Sequence, residues 1–133
     1  MKHRVTLMIT SLLSILLFTF HLADDIARGI EAGGVETSVG VLILVVWMCG
    51  ALVLAEWRVG YVIMLLASIG AAVVPVIHMT GPGLVGGRIA NPSGVFFWVW
   101  TLIALGVTAT FSVILSARGL WKRHWDQSRS AGS

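Results

Sequence analysis

The chain has 133 residues, of which 57% are hydrophobic and 11% charged, with a formal net charge of +3 and a single cysteine. A soluble domain carries about 25% charged and 45–50% apolar residues. This chain has too little polar surface to cover itself in water, which excludes an ordinary soluble domain, a disordered tail and a nucleic-acid binder; one cysteine excludes a disulfide scaffold.

The apolar residues fall into four blocks. Val5 to Ala23 is nineteen residues without a formal charge, and Thr37 to Ala55 is another nineteen. Val59 to Gly87 and Ile89 to Ala117 are each uncharged for twenty-nine. A bilayer core about 30 Å thick needs roughly 20 helical residues to cross it. No stretch alternates as a membrane strand does. The expected fold is therefore all-α: one domain, a membrane-embedded bundle of four transmembrane helices at about 5–28, 38–56, 59–79 and 94–117.

The first block has a basic flank, Lys2-His3-Arg4, which also suits a cleaved leader. Against that, the block is long for a leader, and a cut after Ala23 would leave His21 where a small residue belongs. The block is expected to be retained as the first span, ending at Gly29. Gly33-Gly34 marks the first outer turn. Trp57-Arg58 is too short for anything but a tight hairpin between the second and third helices. Pro75 lies inside the third helix and should kink it near Ala71. Gly81 to Gly94 is rich in glycine and proline and reads as a loop, with Ser93 as an N-cap for the fourth helix.

Seven Lys and Arg lie on the side that holds both termini, and two, Arg28 and Arg88, on the other. This bias predicts cytoplasmic termini. The sequence pI near 9.8 then reflects anchoring at the inner face. Trp121-Lys122-Arg123-His124-Trp125 has the alternation of an interfacial anchor. Trp57 and Tyr61 share that level, and Phe96, Phe97, Trp98 and Trp100 make an outer aromatic belt.

Chemistry-bearing residues are few. On helix 1, Thr10, Ser14, His21, Asp24, Asp25 and Arg28 fall within roughly 100° of arc. One reading of this stripe is structural, with hydroxyls joining helices and Arg28 forming ion pairs with Asp24 and Asp25. A second adds His78. His21 lies seventeen residues beyond Arg4 and His78 twenty beyond Arg58, so both reach the outer edge of the hydrocarbon. His21, Asp24, Asp25 and His78 would then offer imidazoles and carboxylates to a divalent transition metal or to a proton. A third reading is haem held by the two histidines, although two adjacent carboxylates are odd neighbours for it. Lone Cys49 excludes a thiol relay. No acid lies at mid-span, which argues against a proton-coupled drug exporter. Ala67, Gly70 and Ala71, and Thr101, Thr108 and Ser112, read as packing faces. No catalytic set is legible.

His21-Leu-Ala-Asp24-Asp25-Ile-Ala-Arg28-Gly29, Pro75-Val-Ile-His78-Met-Thr-Gly81 and the tail from Phe111 to Trp121 resemble an uncharacterised family of small four-helix bacterial integral membrane proteins. The resemblance implies an inner-membrane location and carries no activity and no assigned residues. Three functions stay open: a non-enzymatic membrane component or accessory subunit; a small transporter or metal-handling protein; and a haem-bearing electron carrier. The expected partners are the lipid bilayer and either a second copy or other membrane subunits, with no role for nucleic acid.

Overall fold

The computed structural model describes residues 2–27, 29, 34–80 and 94–130, with the backbone alone at 36, 79, 80, 124 and 126–130. The described residues form four helices and no strand: α1 (Lys2–Ala27), α2 (Val35–Leu52), α3 (Arg58–Thr80) and α4 (Val95–Ser130). Three of them carry stretches long and apolar enough to cross a membrane, Lys2–Ala27, Arg58–His78 and Val95–Arg123. The apolar part of α2, Thr37–Leu52, is shorter. The expectations for Arg28, for Gly33 and for the loop up to and including Ser93 lie outside the described residues.

Each helix ends where the chain chemistry tells it to. Gly29 takes a left-handed φ of 66° and donates its N–H to the Ile26 carbonyl, closing α1. Gly34, at φ 120°, precedes α2, a conformation that favours glycine. α2 stops at Leu52, short of the expected Glu56. There the Cys49 carbonyl accepts from both Val53 and Leu54, which tightens the last turn. The reason for the early stop is the hairpin itself. A Cβ at Gly60 would collide with the Leu54 carbonyl, and one at Gly50 would press on Ile63. The two glycines let the chain reverse within a few residues.

α3 stays helical through Pro75. The proline has no N–H to give the Ala71 carbonyl. Its ring is buried and seats over Gly106 of α4, where a Cβ would approach to 3.1 Å. α4 runs well past the expected end near 117, because nothing in Arg118-Gly-Leu-Trp-Lys-Arg breaks it. Gly119 sits inside it and leaves room for the Tyr61 ring.

α4 is the spine of the bundle, packing along both α1 and α3, while α2 lies against α3 and α1. The apolar core holds Leu7, Trp47, Met64, Leu105 and Ala109. Through it runs a seam of small polar side chains, Ser11, Ser14, Ser68, Thr101, Ser112 and Ser116, all buried. Ser11 and Ser112 share a 2.7 Å hydrogen bond that joins α1 to α4. Ser14 and Thr10 return their hydroxyls to their own helix. Small residues allow the backbones to approach, while the Ser68 and Ser116 hydroxyls find no hydrogen-bond partner among the described residues. Gly70, expected on a packing face, is exposed and meets nothing. The outer surface is the reverse of a soluble protein: Leu42, Leu66, Phe96 and Trp100 are among many large apolar side chains more than half exposed.

A candidate metal centre of two histidines and one aspartate

The helical repeat puts His21 and Asp25 one turn apart on the same face of α1. That face turns inward: His21 is 2% and Asp25 4% exposed. His78 arrives from the far end of α3, half-buried. The ring centroids of His21 and His78 stand 4.8 Å apart, edge to face.

Asp25 is the hub. Its Oδ1 accepts a 2.8 Å hydrogen bond from the indole N–H of Trp98. Its Oδ2 lies 3.2 Å from Nε2 of His21 and 3.4 Å from Nε2 of His78. His78 also places Nδ1 2.9 Å from the Val74 carbonyl. A carbonyl only accepts, so Nδ1 carries a proton, and Nε2 is the nitrogen turned to Asp25. Among the described residues, neither ring nitrogen of His21 finds a hydrogen-bond partner, the Nε2 approach to Oδ2 being misaligned for one. Two imidazole nitrogens and a carboxylate oxygen thus face one another inside the bundle.

A buried carboxylate facing two imidazole nitrogens calls for a positive charge among them, a proton or a metal ion. A tetrahedral metal with bonds of about 2.0–2.1 Å sets its donor atoms about 3.3 Å apart. The two edges that meet at Asp25, 3.2 and 3.4 Å, match that spacing, and the histidine nitrogens stand no more than 4.8 Å apart. All three donors lie within 4.8 Å of one another. The His78 contact to Val74 is the backbone bond that orients a ligating histidine, and the Trp98 bond ties back the carboxylate oxygen that would not bind. Two imidazoles and one carboxylate suit zinc and its neighbours better than calcium or magnesium.

Haem fits poorly. Axial histidines face each other across a macrocycle, whereas these two rings converge on one carboxylate oxygen, with Trp98 packed 5.9 and 5.6 Å from them.

Of the sequence-stripe candidates, His21, Asp25 and His78 come together. Asp24 is half-buried next to them and stands outside the three-donor group. Arg28, expected to pair with the aspartates, is outside the described residues. Trp98, expected in the outer aromatic belt, is instead fully buried against Asp25. Its signal was present: Trp98, Leu102, Leu105, Ala109, Ser112 and Ser116 recur at three and four along α4, the period of an inward face. Phe96 and Trp100 do lie outside, stacked on each other at 6.3 Å. At the opposite end, Tyr61 is buried beneath Arg123, and Trp57 is exposed.

Comparison with known proteins found no matching family, no matching curated protein and no matching solved structure.

Proposed function

We propose that the chain is a metal-handling membrane protein that holds a divalent transition metal of the zinc class at His21, Asp25 and His78. The observation that carries this reading is the convergence of His21, Asp25 and His78, whose donor atoms lie within 4.8 Å of one another, with His21 buried and neither of its ring nitrogens hydrogen-bonded among the described residues. Three protein donors leave a fourth position for water or a passing ligand, as in sites that exchange what they bind.

The proposal includes the surroundings. The chain crosses the bilayer four times, both termini lie in the cytoplasm, and the membrane is the bacterial inner one. Three long apolar helices support membrane residence. The eighteen residues of α2 measure about 27 Å, close to the hydrocarbon thickness. Its exposed side chains from Val39 to Val53 are apolar on nearly every side, which suits lipid. The seven-to-two distribution of Lys and Arg supports the orientation. The metal site then lies at the outer edge of the hydrocarbon.

A second reading has an observation of its own. The Trp98–Asp25 bond joins α4 to α1, and the His78 contact adds α3. The same residues would then be a clamp in a non-enzymatic membrane component or accessory subunit. Elemental analysis of protein purified in detergent separates the two. The metal reading expects one zinc-class ion per chain, lost in His21→Ala and in His78→Ala while the helices remain. A metal-free wild type that also takes up no zinc on dialysis leaves the clamp.

A further inference from the structure

The other end of the bundle holds a second site of opposite chemistry. His3 and Arg4 at the start of α1, Tyr61 on α3, and Arg118, Lys122 and Arg123 on α4 surround a cavity of about 690 Å³. Its floor is a buried ring: Tyr61 is 4% exposed, seated where Gly119 has no side chain. The Arg123 guanidinium lies 4.8 Å above that ring and is held over the cavity. Arg118 and Lys122 are exposed, four residues apart on one face of α4. Arg4 bonds Glu56 from the turn after α2, which fixes one wall. Trp121, 70% exposed, stands at the rim, where an indole suits the boundary between lipid and water.

The depth follows from the membrane arrangement proposed above, on which this inference rests. From Arg4 to His21, and from Tyr61 to His78, the helices advance seventeen residues, about 26 Å. From Trp98 to Arg118 they advance twenty, about 30 Å. With the histidines at one edge of a hydrocarbon layer about 30 Å thick, the cavity lies at the headgroup level of the other edge. A cavity here, walled by guanidinium and ammonium donors and open to the membrane surface, faces phosphodiesters.

We propose that this cavity is a binding site for the headgroup of an anionic phospholipid. Arg118, Lys122 and Arg123 contact its phosphate, and Arg4 forms the opposite wall. Guanidinium groups match phosphate oxygens in pairs, and basic pockets between membrane helices take such headgroups. The site is independent of the metal centre and does not need it.

The test uses the full-length protein in a neutral detergent, titrated with dioleoylphosphatidylglycerol, with dioleoylphosphatidylcholine, and with inorganic phosphate at matched ionic strength. Lipid retention is read by native mass spectrometry and thermal unfolding by circular dichroism. Saturable retention of phosphatidylglycerol with a raised melting temperature is expected, with neither effect from phosphatidylcholine. Arg118→Gln with Lys122→Gln should weaken phosphatidylglycerol binding about 30-fold. Both side chains are exposed and the Arg123–Tyr61 stack is untouched, so this variant should fold; its helicity checks that. Lys2→Gln with Arg58→Gln removes equal charge from the same end outside the cavity and should bind nearly as wild type does. Equal retention of phosphatidylcholine would overturn the proposal, as would full affinity in the cavity variant or equal loss in the control variant. A melting shift reproduced by phosphate alone would make the ligand a soluble anion and overturn the lipid assignment.

Discussion

The two ends of the bundle draw on the same three helices, α1, α3 and α4, and arrive at inverse chemistry. At one end, potential metal donors converge: two imidazole nitrogens and a carboxylate oxygen, largely out of water and a few ångströms apart. At the other, cationic N–H groups fan out around an open cavity with a single aromatic floor. The first geometry is complementary to a small cation and the second to a bulky anion. Burial makes the difference. Polar groups taken out of water must be matched by partners at bonding distance, which is why the histidine end is compact and shares Trp98 between chemistry and packing. Exposed side chains such as Arg118 and Lys122 need no such closure, and the basic end stays wide.

That contrast can be broken or sharpened. The largest effect expected is the loss of zinc affinity, by at least about 100-fold, in His21→Ala or His78→Ala. Phosphatidylglycerol binding should be unchanged in both, since the sites lie at opposite ends of the bundle and share no lining residue. Parallel titrations check this, and a single substitution that weakens both ligands would show the ends to be one unit. Next comes Trp98→Phe, which keeps an aromatic ring but leaves Oδ1 of Asp25 without its donor. Zinc affinity should fall 10–100-fold. Stability should drop by about 1–3 kcal/mol in a denaturation titration in mixed micelles. Acidification should release zinc from the wild type, because protons compete for the same lone pairs.

A smaller comparison tests the inward stripe itself. Ser14 is fully buried and Asp24 half-buried. Ser14→Leu overfills the seam and should cost about 1–3 kcal/mol. Asp24→Leu should be milder, and the opposite order in the same titration would contradict an inward Ser14. The smallest effect is expected at mid-bundle: Ser11→Ala removes one interhelical bond to Ser112, about 0.6 kcal/mol.

Much of the fold is legible in the sequence. The four apolar blocks correspond to four helices because lipid-compatible composition and helical length leave few other options. Gly29 and Gly34 mark helix boundaries by their positive φ. The ends that were not legible depend on contacts between helices. The stop of α2 at Leu52 follows from how closely Gly60 meets Leu54, and that approach has no one-dimensional signature. The meeting of His21 and His78 followed from counting residues inward from the two arginines. Trp98 was assigned by its neighbours Phe96, Phe97 and Trp100 and not by its register. A tryptophan near a helix end fits both a lipid interface and a core, and only the three-four period along α4 tells them apart. Pro75, expected from the sequence only as a kink in the third helix, also packs, with its ring set over Gly106.

The central claim is that His21, Asp25 and His78 form one tetrahedral metal site, and cobalt(II) absorption of the purified full-length protein tests it most directly. The account predicts an intense visible band that saturates at one cobalt per chain, is displaced by zinc, and is absent from His21→Ala. A spectrum that stays that of the weakly coloured hydrated ion throughout the titration would contradict it.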